Sequence, residues 1–257
     1  MELRNRVVVV TGASAGIGEA AAIEFARRGA KVVLAARRVE RLEDLASRIE
    51  RAGGKALAVR CDVREPAQLE RLRLVVDESF GPTDVLVNNA GIPGRKTFSE
   101  TPFDEIENIV RVNLLGVLFG TRAFLPAMLE RGQGHVVNVA SLAGLFATPG
   151  APVYTATKHA VVAFSESMSP TTASRGVLVT AVNPGFVPTE GFPQTGRPGM
   201  ILLTTQDVAK AIVKVVRNEI APEYSIPRWV SALQAFRVLT PPLYRWGSER
   251  LGGRYPP

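Results

Sequence analysis

Tyr154 and Lys158 are four residues apart, one turn of helix, so their side chains lie on one helix face and an ammonium stands beside a phenol. A free tyrosine, with a pKa of about 10, exchanges protons poorly at neutral pH. A neighbouring cation favours the phenolate and is expected to lower that value. Ser141, thirteen residues before the tyrosine, closes the apolar run His135–Val139 through Ala140 and offers a hydroxyl to a substrate oxygen. A Tyr-x3-Lys pair alone is common as a surface helix contact, so its weight depends on the elements around it.

Those elements alternate. Strand-like β-branched runs fall at Val7–Thr11, Lys31–Ala36, Ala56–Arg60, Val85–Asn88, His135–Val139 and Val177–Asn183, with helical patterns such as Glu19–Arg28 and Val39–Ala52 between them. Runs such as VVVV and DVLVN are apolar on both faces, as a parallel sheet between two helical layers requires. The predicted fold is α/β: one Rossmann-type, doubly wound parallel sheet with helices on both faces, a single domain over residues 1–257. Ligands of such sheets bind at the carboxyl ends of the strands, where Ser141 stands.

At the end of the first strand comes Thr11-Gly12-Ala13-Ser14-Ala15-Gly16-Ile17-Gly18, followed by a helical pattern. Glycine permits the sharp turn, a close approach of backbone to a pyrophosphate, and a helix N-terminus aimed at its charge. The second strand ends in Ala35-Ala36 and continues with Arg37-Arg38. An acid at that point would hold the ribose hydroxyls of NAD; Ala36 carries none, and Arg37 offers a planar fork to a 2′-phosphate. The expected cofactor is therefore NADP(H) in preference to NAD(H), with Arg38 and Ser14 as secondary contacts.

The spacing Gly12-x3-Gly16-x-Gly18, with Asn88-Asn89-Ala90-Gly91, Ser141 and Tyr154-x3-Lys158 in that order, resembles the classical short-chain dehydrogenase/reductase family from about Arg6 to Ile226. The resemblance implies hydride transfer between nicotinamide and a carbonyl or secondary alcohol. Tyr154 would be the acid and base, Ser141 would bond the reacting oxygen, and Lys158 would bind the nicotinamide ribose. Asn113 would hold a water that links the lysine to a proton path. For the cofactor it implies Asp62 on the adenine amino group, with Val63, Asn89, Ala90 and Gly91 beside it. Pro184, Gly185, Val187 and Thr189 would serve the nicotinamide half.

Three stretches depart from the family pattern or extend it. Pro170, in Ser169-Pro170-Thr171-Thr172, is expected to end or kink the tyrosine helix near Ser169. That would disturb the helix pairing by which many relatives form homo-oligomers. The Gly- and Pro-rich stretch from Phe186 reads as a substrate loop, residues 186–206. The tail, 228–257, interleaves Trp229, Leu233, Phe236, Leu239, Leu243 and Trp246 with arginines. Such a tail suits a peripheral contact with anionic lipid, but Pro241-Pro242 interrupts the stripe and favours a lid or packing element.

Composition narrows the function classes. The single cysteine, Cys61, excludes an intramolecular disulfide framework, and two histidines, His135 and His159, provide no metal-ligand spacing, so no metal is expected. The net charge of +7 comes largely from the tail, where five arginines face one glutamate, and no nucleic-acid-binding motif accompanies it. The first apolar run is too short for a leader or a membrane span, so a cytoplasmic location is expected. A non-catalytic NADP(H)-binding regulator is the rival reading; it would dispense with Ser141, Tyr154 and Lys158. The partner expected instead is a small, lipophilic carbonyl compound or alcohol.

Overall fold

The structure is a computed structural model that describes residues 1–94, 98–148, 150–192 and 202–240. Seven parallel strands form one sheet: β1 (Val7–Thr11), β2 (Lys31–Ala36), β3 (Lys55–Arg60), β4 (Val85–Asn88), β5 (Gly134–Val139), β6 (Val177–Pro184) and β7 (Glu223–Ile226). Their order is β3-β2-β1-β4-β5-β6-β7, so the winding reverses between β1 and β4 and leaves a crevice at their carboxyl ends. All of β1, β4 and β5 is buried, which is why these strands read as mainly apolar runs without a polar face.

Among the described residues eight α-helices cover the sheet: α1 (Gly16–Arg27), α2 (Val39–Arg51), α3 (Pro66–Ser79), α4 (Phe103–Val110), α5 (Gly116–Arg131), α6 (Pro152–Ala173), α7 (Thr205–Arg217) and α8 (Val230–Leu239). On one face Phe25 of α1, Leu42 and Leu45 of α2, and Ile212 of α7 pack on Val8, Val10, Val32 and Leu34. On the other, Leu69 and Leu72 of α3 and Phe124 and Met128 of α5 cover Val9, Val33 and Leu86. Val161 and Val162 of α6 join Ala140 and Ala181 in a smaller core beside them.

The expected α/β fold is therefore present, with β1, β2 and β4 where the residue pattern puts them. The strands β3 and β5 begin one residue earlier and β6 ends one later than expected. β7 was not anticipated: Glu-Tyr-Ser-Ile lies between prolines and becomes a strand only by pairing with β6.

The end expected for this helix near Ser169 is corrected. Helix α6 runs on to Ala173 with Pro170 inside it. Its buried stripe Val161, Ser165, Ser169, Thr172 continues past the proline, and Pro170 itself is exposed, so water can serve the freed carbonyl. Thr172 Oγ1 also donates to the Met168 carbonyl at 3.1 Å. Tertiary packing thus outweighs the local propensity. Of the substrate loop and tail, residues 193–201 and 241–257, including Leu243 and Trp246, lie outside the described residues.

Candidate active site

The carboxyl ends of β1, β2, β4, β5 and β6 open into a cleft of about 1090 Å³. It runs from Arg37 and Asp62 at one end, past the glycine loop, to Ser141, Tyr154, Phe146 and Phe192 at the other. Ser14, Ile17, Arg38, Val63, Ala90, Gly91, Lys158, Pro184, Gly185, Val187 and Thr189 line it as well. Two expected site residues, Gly18 and Asn113, stand behind the wall.

The glycine loop is locked by β4. Thr11 Oγ1 accepts from the Asn89 and Ala90 amides at 3.0 and 3.3 Å, and Asn89 Nδ2 donates to the Thr11 and Gly12 carbonyls at 3.0 and 3.3 Å. Asn89 therefore clamps the loop as well as lining the cleft. Gly12 has φ +67°, and a Cβ there would stand 2.8 Å from Ala90 Cα. A Cβ on Gly18 would meet the Gly12 carbonyl oxygen at 2.4 Å, so Gly18 is where α1 crosses the loop. Ala15 at the N-cap supplies no side-chain cap, which leaves the first N–H groups of α1 available to an anion. Thr189, arriving from β6, leans over Gly16 across the cleft.

At the β2 end Arg37 is exposed and makes no hydrogen bond to the described residues, while Arg38 donates through Nε and Nη2 to Ser14 Oγ at 3.2 and 3.1 Å. The Asp62 carboxylate lines the cleft but is held by Arg64, whose Nη2 donates to Oδ2 at 2.6 Å. That hydrogen bond keeps the Asp62 carboxyl below its usual range.

In the reacting centre Lys158 is 4% exposed, and its Nζ donates to the Val139 carbonyl at 2.8 Å and lies 5.7 Å from the Tyr154 ring centroid. Burial brings its pKa down to about 8. Burial also raises the Tyr154 phenol to about 12, against a hydrogen-bonding pull from Ser141 in the other direction. In the protein alone, loss of water is thus the largest cause acting on the phenol, and the Lys158 ammonium is aimed at a carbonyl. Ser141 Oγ accepts from the Ala143 amide at 3.1 Å and so caps the short 3₁₀ turn Leu142–Gly144. A Cβ on Gly144 would meet the Lys158 carbonyl oxygen at 2.7 Å, so serine turn and tyrosine helix are in direct contact.

Asn113 is fully buried in a π-helical turn, Arg111–Leu115, between α4 and α5. Its side chain grips both backbone groups of one residue: Oδ1 accepts from Ile92 N and Nδ2 donates to Ile92 O, both at 2.8 Å. The side chain thus fixes the segment after Gly91.

Two features escaped the residue pattern. A buried polar ladder crosses the sheet: Asn88 Nδ2 donates to Thr121 Oγ1 and to Asn138 Oδ1, and Asn138 Nδ2 to Ser165 Oγ on α6. The asparagine inside the apolar run HVVNV was its signal. Phe192 also packs edge-on against Tyr154, centroids 5.6 Å apart. Nothing in the local pattern announces that contact.

A doubly wound parallel sheet, a glycine loop at its switch point and a Ser-Tyr-Lys centre together define a dinucleotide-binding α/β protein. Residues 6–197 match the short chain dehydrogenase family, an oxidoreductase family, and the chain belongs to it. It is 37% identical over 221 residues to ketoacyl reductase HetN of Nostoc sp. strain PCC 7120, 84% of this chain and 77% of that one. It is 40% identical over 226 residues to part of glycine betaine reductase ATRR of Emericella nidulans; the match covers 84% of this chain but 18% of that longer protein. Among solved structures, a variant of actinorhodin polyketide ketoreductase with NADPH superposes with TM-score 0.79 and 32% identity, covering 86% of this chain and 94% of that one. A short chain dehydrogenase/reductase from Burkholderia phymatum in complex with NAD gives TM-score 0.85 and 29% identity, covering 95% and 96%.

Proposed function

We propose that the chain is an NADP(H)-dependent oxidoreductase that interconverts a carbonyl and a secondary alcohol of a lipophilic small molecule. The observation that carries this reading is Ser141, Tyr154 and Lys158 converging in one cleft whose far end presents Ala36, Arg37, Arg38 and Ser14. The residues fit a dinucleotide: uncapped N–H groups of α1 for the pyrophosphate, and arginine at the end of β2 for a 2′-phosphate. Bound there, the nicotinamide supplies or accepts the hydride.

The protein supplies the proton and its control. In reduction Tyr154 Oη donates its proton to the carbonyl oxygen, and Ser141 Oγ bonds that oxygen as its charge grows; oxidation reverses both roles. A phenol raised to about 12 holds its proton until that oxygen becomes basic, which suits the reducing direction. With the cofactor bound, Lys158 would hold the nicotinamide ribose, and its charge together with that of oxidised nicotinamide would lower the phenol in the oxidising direction. Leu142, Phe146, Phe186 and Phe192 line the cleft near Tyr154 and suit an apolar substrate. The reading includes a cytoplasmic enzyme and a homo-oligomer built on the uninterrupted α6; cell fractionation and light scattering test these two points.

Fluorescence titration of NADPH and NADH into wild type and Arg37→Ala tests the cofactor, and Tyr154→Phe on a panel of carbonyl compounds tests the chemistry. NADPH binding tighter than NADH and weakened in Arg37→Ala, with turnover lost in Tyr154→Phe, is expected. Equal binding of both cofactors would overturn the NADP(H) assignment, and turnover retained in Tyr154→Phe would overturn the acid–base role.

A further inference from the structure

Glu190, on the segment leaving β6, reaches across the mouth of the cleft. Its Oε1 accepts from Arg38 Nη1 at 2.9 Å and its Oε2 from Arg41 Nη1 at 2.5 Å. The same Arg38 holds Ser14 of the glycine loop through its other nitrogens. The carboxylate therefore sits on the guanidinium groups beside the end of β2, where the proposed function puts the 2′-phosphate. A carboxylate and a phosphate are oxyanions for the same planar fork, and the two compete for it.

The carboxylate is joined to the reacting centre by a tight turn. Thr189 N donates to Phe192 O at 3.2 Å and Phe192 N to Thr189 O at 3.0 Å, which fixes Glu190 and Phe192 in one short unit. At one end of the unit Glu190 holds the arginines; at the other the Phe192 ring stands edge-on to Tyr154, at 61°. All three ionic side chains are about half exposed, so the pairs are screened by water and weak enough to be exchanged.

Resting on the NADP(H) reading of this site, we propose that Glu190 is an internal competitor for the 2′-phosphate. The phosphate, held by Arg37, also takes Arg38 and Arg41, Glu190 is displaced, and the turn it anchors releases Phe192 from Tyr154. A dinucleotide without that phosphate leaves Glu190 in place. Arg41, a turn into α2, is then a further determinant of cofactor choice, and Glu190 opposes it.

The test uses 2′,5′-ADP and 5′-AMP as probes on wild type, Glu190→Gln and Arg41→Ala, by calorimetry, with hydrogen exchange followed at the Phe192 amide. Glu190→Gln is expected to bind 2′,5′-ADP about two- to fivefold tighter, the scale of an exposed ion pair, and Arg41→Ala to bind it several-fold more weakly; 5′-AMP binding stays unchanged in both. In wild type 2′,5′-ADP, but not 5′-AMP, speeds Phe192 exchange; in Glu190→Gln exchange is already fast. A wild type that prefers 2′,5′-ADP while Glu190→Gln neither tightens binding nor loosens Phe192 overturns the competitor and leaves the NADP(H) reading standing. A wild type indifferent to the 2′-phosphate overturns both.

Discussion

Replacing Lys158 with methionine should stabilise the fold while abolishing turnover. The lysine is 4% exposed, and burial lowers its pKa from the usual 10.5 to about 8, which corresponds to roughly 3 kcal/mol spent on keeping the ammonium out of water. Methionine fills a similar volume without a charge but cannot donate to the Val139 carbonyl, a loss of about 1 to 2 kcal/mol. The net expectation at pH 7 is a gain of about 1 to 2 kcal/mol, or about 2 to 6 °C in Tm for a chain of this size.

The pH dependence identifies the cause. Between pH 8 and 10.5 the unfolded lysine keeps its proton while the native one loses it, so this group makes wild type more stable as pH rises. The advantage of Lys158→Met should therefore shrink between pH 7 and 9.5 in urea titrations. Tyr154, raised from 10 to about 12, has the opposite sign but enters only above pH 10, and Cys61, raised from 9.0 to about 12, is common to both proteins. A variant less stable than wild type at pH 7, with a difference that does not change with pH, would refute the reasoning.

Gly18→Ala forces a Cβ to within 2.4 Å of the Gly12 carbonyl oxygen and 2.5 Å of Asn89 Nδ2; it should cost about 1 to 3 kcal/mol in urea unfolding and weaken dinucleotide binding at least tenfold, and binding as tight as wild type would contradict that geometry. Asn138→Ala removes the centre of the buried ladder and leaves Ser165 and Asn88 short of a partner, a loss of about 2 to 4 kcal/mol by the same assay; a cost under about 0.5 kcal/mol would deny the ladder a structural role. His135 is fully buried, its Nε2 against Thr180 Oγ1, and burial lowers its pKa from 6.5 to about 3. Its contribution is intact above pH 6.5 and is lost as pH falls toward 3, by about 1.4 kcal/mol per pH unit, so His135→Leu should flatten that part of the acid limb.

What was legible in the sequence divides along a physical line. The first, second and fourth strands could be placed because a strand buried on both faces announces itself by composition alone, and the glycine loop because its turn and close approach are local demands on backbone. Tyr154 and Lys158 could be paired because one helix turn sets their separation. β7 was illegible because a four-residue strand exists only through its neighbour, and Pro170 misled because the stripe holding its helix, from Val161 to Thr172, packs against residues far away in the chain. Glu190 on Arg38 joins residues 152 positions apart, and no local pattern encodes such a contact.

The sign of the tyrosine shift was illegible for a related reason, and it says what kind of site this is. Spacing shows which charges are close; it does not show how much water has been removed, and here removal dominates both groups, with the phenol at about 12 and the amine at about 8. Each is displaced toward its neutral form. The helix that buries them is anchored elsewhere, through Ser165 to Asn138 and through Gly144 against the Lys158 backbone. On the proposed function, a charge arriving in the cleft would meet a low dielectric already assembled, and the field of an oxidised nicotinamide would bear on the Tyr154 proton more strongly than at a solvated site.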